Sequence, residues 1–358
     1  MRQVLLFTVL LLFQLKSQAT PYDPNTPQGH SVLGLSSAIM DHFFMISEAE
    51  LQVITNEKGS WTPIDYPTLC SILDKNPDAS KMTPGGSGAN VIKGLSQLGE
   101  KCALIGKIGG DDKGEYYSKV MRNLGVGTYL QKGNKPTGQA ICFVTPDGNR
   151  TFHTYLGASY SLTDLKLDAQ MFQKVRLFYL EGWQLVDQDL VMRALKMAKS
   201  AGVKIAINLD HVKVVRDHKD FILSILEPYI DLIFCDHRQA QELTGLSPKK
   251  ASSYLSKMCS IAIVTMSQRG SWTQQGTEQC YTPALSVNPI DVTGECSFFT
   301  SGFLYGYLQG YSLKKCARLG ALVSSYVVKR IGAEIDAPIW KEIRQKISKA
   351  DRERLDNL

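Results

Sequence analysis

Lys81-Met82-Thr83-Pro84-Gly85-Gly86-Ser87-Gly88-Ala89-Asn90 runs straight into Val91, Leu95 and Leu98, spaced i, i+4 and i+7 on one face of a helix over 88–98. Glycines let a backbone approach a ligand closely, and a helix N-terminus attracts anions or polar groups, so this loop is the first candidate site. It is not a dinucleotide G-x-G-x-x-G, because 86–91 lacks the third glycine; nor is there a Walker A sequence nearby, because Gly106-Lys107 is followed by Ile108. Outward from the loop, a strand over 103–108 and a helix over 114–124 follow, and a first strand over 31–35 precedes. Further strands over 176–180, 203–208, 231–235 and 261–265 alternate with helices over 186–200, 219–226 and 249–258. That alternation predicts an open α/β sheet, mainly parallel and flanked by helices.

One region breaks the rhythm. Residues 138–144 and 151–155 are strand-like and flank Pro146-Asp147-Gly148-Asn149, four strong turn formers, which predicts a hairpin. With 42–65 it can form a small β-sheet lid on the main domain. Residues 298–347 read as helices with an apolar face.

The 358 residues are 44% hydrophobic and 21% charged, an ordinary globular composition that excludes disordered, collagenous and multi-span membrane classes. The net charge of +6 is spread out, with basic pairs such as Lys249-Lys250 and Lys314-Lys315, which argues against a nucleic-acid partner. Eight cysteines without a C-x-x-C pair or short histidine spacing do not make a zinc site. Arg2, the apolar run 4–13 and Ser17-Gln18-Ala19 predict an export signal over 1–19, with a proline-bearing linker over 20–30. No later segment reaches a transmembrane length. In a glycosylating compartment Asn149-Arg150-Thr151 is an acceptor sequence.

Pro84-Gly85-Gly86 through Asn90 to Leu98-Gly99, followed by Gly106-Lys107-Ile108-Gly109-Gly110-Asp111-Asp112-Lys113-Gly114, resembles the first signature of the ribokinase-like, or PfkB, carbohydrate and nucleoside kinases. Lys58-Gly59-Ser60, Pro136-Thr137-Gly138, Gly148 to Arg150 and Leu156-Gly157-Ala158 are similar to the adenosine-kinase-like branch, and Asp291-Val292-Thr293-Gly294 resembles the start of the second signature, D-T-x-G-A-G-D. The resemblance implies a three-layer α/β/α sandwich over 31–348, lid segments at about 42–65 and 136–158, and a charged tail over 349–358. It also implies ATP and magnesium as cofactors of an active form, with a small sugar or nucleoside phosphorylated on a hydroxymethyl group. Carried over position by position, Asp41 (after the strand with Gly34), Gly85, Gly86 and Asn90 become substrate-binding residues. Thr265, Gly270, Thr293 and Gly294 become nucleotide- or phosphate-binding residues. For Asp41 the assignment requires its side chain to face Gly85 and Gly86.

The second half of the last signature departs from the family. Glu295-Cys296-Ser297 replaces A-G-D, with the register pinned by the similar run 298–304. Ser297 therefore stands at the place of the catalytic base, and a hydroxyl is no base at neutral pH without a partner for its proton; losing general-base catalysis costs about 10²–10⁴-fold. Glu295 puts negative charge where phosphate should sit, and is also the candidate substitute base. Cys296 adds a side chain at a family glycine. Asp236-His237-Arg238-Gln239 stands for N-x-x-E, losing one carboxylate while Asp236 offers another to magnesium. Thr265-Met266-Ser267-Gln268-Arg269-Gly270 departs only mildly from T-x-G-x-x-G, at Ser267. His211 and His237 read as solvent or packing histidines, Trp183 as a pocket or core aromatic, and Arg150 as a phosphate contact or a solvated turn residue. The expectation is a pseudokinase-like ligand-binding protein. The alternatives are an active kinase with a non-standard base, and an exported interaction protein.

Overall fold

The computed structural model describes residues 29–75, 82–160 and 162–352, so the expected export signal, most of the linker and the end of the tail lie outside the described residues. Fourteen strands occur among the described residues: β1 (Val32–Leu35), β2 (Ile39–Met45), β3 (Trp61–Pro63), β4 (Met82–Gly85), β5 (Cys102–Gly109), β6 (Val126–Gly133), β7 (Gly138–Val144), β8 (Arg150–Tyr155), β9 (Leu177–Glu181), β10 (Lys204–Asn208), β11 (Leu232–Asp236), β12 (Ile261–Thr265), β13 (Ser271–Gln275) and β14 (Glu278–Thr282). Nine form one sheet in the order β14-β13-β12-β11-β10-β9-β1-β5-β6. From β12 to β6 every pairing is parallel, and β13 and β14 add an antiparallel edge.

Strand residues alternate between two cores, which is what a sheet covered on both faces requires. Leu33, Phe178, Ile205, Ile233 and Val264 pack on one side under helices that include Gln188–Ser200 and Val212–Tyr229. Val32, Leu177, Ala206, Leu232 and Ile263 pack on the other under helices Ser87–Leu98 and Glu295–Leu308. A third cluster joins Leu98 and Phe298 to helices Leu313–Val327 and Ala337–Arg352. The result is a ribokinase-like three-layer α/β/α sandwich.

The second sheet has the order β3-β8-β7-β2-β4. The expected hairpin is present as antiparallel β7 and β8, in register from Gln139↔Tyr155 to Val144↔Arg150. Two boundaries need correction. The lid begins before residue 42, since β2 starts at Ile39 and so carries Asp41, and the loop before Gly86 is itself a lid strand, β4, paired antiparallel to β2 with Asp41 opposite Thr83. Among the helices, the one expected over 219–226 runs Val212–Tyr229 through a kink at His218. Helix His237–Thr244 was absent from the sequence reading.

Candidate functional site

Strands β9, β10, β11 and β12 end on the same edge of the large sheet, and the chain leaves β1 there between Ser36 and the lid. The order of the strands reverses at β1, flanked by β9 and β5, and such a switch point opens a crevice at the carboxyl ends. The lid closes over it to leave a cleft of about 960 Å³.

At one end of this cleft Asp41 lies against the glycine loop. A Cβ built on Gly85 would meet Asp41 Oδ2 at 2.0 Å, so only glycine leaves room for the carboxylate. Gly86 has φ +96°, and its Cβ would fall 2.1 Å from the Ser37 carbonyl oxygen, so it too must be glycine. Lys93 Nζ donates to the Pro84 carbonyl at 2.6 Å, and Tyr117 Oη donates to the Gly85 carbonyl at 3.0 Å, fixing β4 from behind. Burial pushes Asp41 up to about 7; Lys93 opposes this, while Asp291 and Glu334 add to it. Asn90, 5% exposed on the cleft wall, has an Oδ1 atom with no hydrogen-bond partner among the described residues, an acceptor available to a ligand hydroxyl or amine.

Sequence reasoning missed Glu181, the last residue of the apolar strand β9. Its carboxylate accepts from Ser37 N at 2.5 Å, Ser87 Oγ at 2.7 Å, Gly88 N at 3.1 Å and Gln184 Nε2 at 2.9 Å, tying β1 and the glycine loop to β9. Asp210 sits beside it at φ +55°, a backbone conformation uncommon for a non-glycine residue. Burial first and the Glu181 charge second raise Asp210 well above the usual carboxylate range. It accepts from Gly182 N at 2.5 Å, which holds the short 3-10 turn carrying Trp183. Trp61 of β3 meets Trp183 at 4.9 Å between ring centroids, and Trp183 stacks on His211 at 5.6 Å and 24°. These three rings form an aromatic ladder from lid to body along the cleft wall. A polar residue closing an otherwise apolar strand is the signal that could have found Glu181.

At the other end, Gly294 (φ +84°) opens helix Glu295–Leu308, with no side chain capping its first turn. Asp291 organises the approach: Oδ1 accepts from Thr293 N and Thr293 Oγ1 at 2.8 and 2.6 Å, and Oδ2 accepts from Gly332 N at 2.8 Å. Ser297 is 6% exposed on the cleft wall, and among the described residues its hydroxyl makes no hydrogen bond to a carboxylate, imidazole or other group that could take its proton. Glu295 is raised by burial, with Arg150 opposing and Asp236 adding. Its charged neighbours thus differ from those of Asp41. Cys296 opens onto the cleft, yet surrounding protein and the Glu295 and Asp236 charges push its thiol up to about 12, which keeps it from being a thiolate nucleophile. Its φ is not positive, so glycine's freedom is not needed at this position.

Three phosphate-side expectations change with the geometry. Asp236 is the N-cap of helix His237–Thr244: Oδ1 accepts from Arg238 N and Gln239 N, each at 2.8 Å, and Oδ2 pairs with the Arg238 guanidinium at 3.1 Å. Gln239 Oε1 accepts from Asp236 N at 2.9 Å, completing a capping box. With both oxygens so engaged, and no group of three His, Cys, Asp or Glu side chains converging among the described residues, the side chains do not fit a magnesium ion of their own. Ser267 holds φ +49°, a left-handed conformation that costs a non-glycine about 1–2 kcal/mol, so its departure from glycine is not mild. Gly270 and Gly85 lie behind the cleft wall, and Gly270 (φ +82°) makes the turn into β13, where a Cβ would strike the Thr282 carbonyl oxygen at 2.1 Å. Thr265, Thr293 and Gly294 do face the cleft, as do His211, His237 and Arg150.

A family model described as pfkB family carbohydrate kinase matches residues 70–340. The nucleoside kinase of Methanocaldococcus jannaschii is 25% identical over 269 residues, 74% of this chain and 85% of its own length. The adenosine kinase of Sinorhizobium meliloti superposes with a TM-score of 0.82 at 27% identity, covering 89% of this chain and 99% of that one. A probable sugar kinase of Rhizobium etli gives the same score and identity over 90% and 99%. Fold, cleft and sequence agree: the chain belongs to the pfkB family of carbohydrate kinases.

Proposed function

We propose that this protein binds a nucleoside in the cleft and has lost, or retains only weakly, the ATP-dependent phosphotransfer of its family. The observation that carries the reading is Ser297: a largely buried serine, with no proton acceptor on its hydroxyl among the described residues, stands where the family has its base. Asp41 and Asn90 Oδ1 offer acceptors to a pair of ligand hydroxyls, and the Trp61–Trp183–His211 ladder offers a planar base a stack worth about 0.5–1.5 kcal/mol beyond its buried area. The neighbours titled nucleoside kinase and adenosine kinase support the same ligand class. ATP with magnesium would be the phosphate source of any residual activity, with magnesium held by the nucleotide's phosphates rather than by a carboxylate cage. Export through residues 1–19 belongs to the same reading.

The test is a pair of measurements on the full chain. Adenosine, but not ribose, is expected to quench tryptophan fluorescence, since Trp61 and Trp183 line the cleft. ADP formation with ATP and magnesium is expected to show no stimulation by nucleosides. Nucleoside-stimulated turnover as fast as that of an intact relative would establish an active kinase with a replacement base; equal responses to ribose and adenosine would remove the nucleoside assignment.

A further inference from the structure

The Glu295 end of the cleft is arranged for an anion, and an acidic side chain already stands there. The uncapped first turn of helix Glu295–Leu308 presents the positive end of a fourteen-residue dipole, and its first residue is an acid. Ser297, two residues on, is more than nine-tenths buried, lines the cleft and makes no side-chain hydrogen bond among the described residues, which marks this end as a place built to meet a ligand. Across the cleft stands Arg150, the first residue of lid strand β8; its backbone pairs with Val144, and among the described residues its side chain makes no hydrogen bond or ion pair, its attraction to Glu295 acting across the cleft rather than by contact. The other acid nearby, Asp236, is engaged by its helix cap and by Arg238.

The lid turn is seated against the body at this point. A Cβ on Gly148 would lie 3.1 Å from the Ile290 carbonyl oxygen, just ahead of Asp291, and Cys142 Sγ approaches Thr293 Oγ1 at 3.9 Å. Behind the turn, Lys58 pairs with Asp147 at 2.7 Å and with Glu48, which ties the turn leading into Arg150 to another lid segment.

We propose that Glu295 is a tethered anion: it takes the place of a ligand phosphate at the helix N-terminus, draws Arg150 toward the body, and so holds the lid over a bound nucleoside without any nucleotide. A like charge at contact range repels a phosphate-bearing ligand by enough to cost roughly tenfold or more in affinity. Glu295 is thus a specificity residue, and nucleoside capture is uncoupled from ATP. The lid half of this inference rests on the nucleoside reading; the exclusion of phosphates does not.

Titration of the full chain with sodium pyrophosphate, without nucleoside, separates the two. The native chain is expected to bind it weakly, Glu295→Gln at least tenfold more tightly, and Glu295→Gln with Arg150→Ala weakly again. Hydrogen exchange of residues 145–155 is expected to speed up in Glu295→Gln and to slow when pyrophosphate is added. Equal pyrophosphate affinity in the native chain and Glu295→Gln overturns the proposal, as does unchanged exchange in Glu295→Gln. Should Glu295→Gln not fold, Arg150→Ala alone decides: faster exchange at 145–155 supports the tether, and unchanged exchange overturns it. A pyrophosphate gain in Glu295→Gln combined with no adenosine quenching of the native chain supports the tethered anion and removes only the nucleoside reading.

Discussion

At the Asp41 end of the cleft a buried carboxylate is given space by Gly85, a nearby cation by Lys93 and unpartnered company by Asn90 Oδ1, whereas at the Glu295 end a charge sits where a ligand's charge would go. Both ends use the same backbone device, a helix start behind a positive-φ glycine, Gly86 in one case and Gly294 in the other. What differs is the side chains presented. The first helix start leaves Gly86 and Ser87 small and the ligand side open; the second places Glu295 and Cys296 into the cleft. A scaffold can therefore keep its geometry while the chemistry of one end is changed, because the helix and its cap are set by backbone and core, and the ligand's preference by a few first-turn side chains.

The largest effect expected from breaking this contrast is at Asp41. Its pKa is about 7 in the folded protein against an ordinary 3.8, so the folded state holds the extra proton between those values. Asp41 therefore contributes stability below about pH 4 that is lost as pH rises through 7, up to about 4 kcal/mol if the whole shift is realised. Asp41→Asn should raise the urea midpoint at pH 8, leave it nearly unchanged at pH 4, and weaken adenosine binding about 100-fold by removing charged hydrogen bonds. Native adenosine affinity should likewise fall as pH drops below 7. A variant less stable than the native chain at pH 8 would make Asp41 a structural residue and erase the contrast.

Next in size is the attempt to reverse the change at the other end. Ser297→Asp alone is expected to add little ADP formation, less than about tenfold, because Glu295 still opposes phosphate. Joined with Glu295→Gln it should gain about 10²-fold or more over the single Glu295→Gln, the usual worth of a positioned base. A full gain from Ser297→Asp by itself would confine the loss to one residue.

Much of this was legible in the sequence because the fold is written in periodicities. The apolar runs over 176–180, 203–208 and 231–235 could only be buried parallel strands, and each has become one, ending on the cleft. The strand β4 was not legible, since Met82-Thr83-Pro84-Gly85 shows no alternation and ends in two residues depleted in strands, and it is held extended by pairing to β2 and by Lys93 and Tyr117 from outside. Helix His237–Thr244 is recoverable from Asp236 and Gln239, whose spacing fits a capping box as well as the altered N-x-x-E element. Glu181 with Ser37 and Trp61 with Trp183 are pairs far apart in sequence that meet only in space, and Ser267 looks harmless because its φ of +49° cannot be seen in its letter.

The smallest effect sharpens the ladder itself. His211 is the N-cap of helix Val212–Tyr229, and its Nδ1 accepts from Lys213 N at 3.1 Å, so the folded ring is the neutral form with the proton on Nε2. Burial, with Arg238 next, lowers its pKa below the ordinary 6.5. A histidine depressed in this way contributes stability above pH 6.5 that is lost as pH falls through the folded value, the opposite sense to Asp41. His211→Phe keeps a ring on Trp183 and removes only the cap, which should cost about 1 kcal/mol at pH 8 and progressively less toward pH 5. Equilibrium unfolding at the two pH values reads this difference directly. An equal cost at both would show that packing on Trp183, rather than the acceptor on Nδ1, is what His211 supplies, and the ladder would then be insensitive to pH from either end of the cleft.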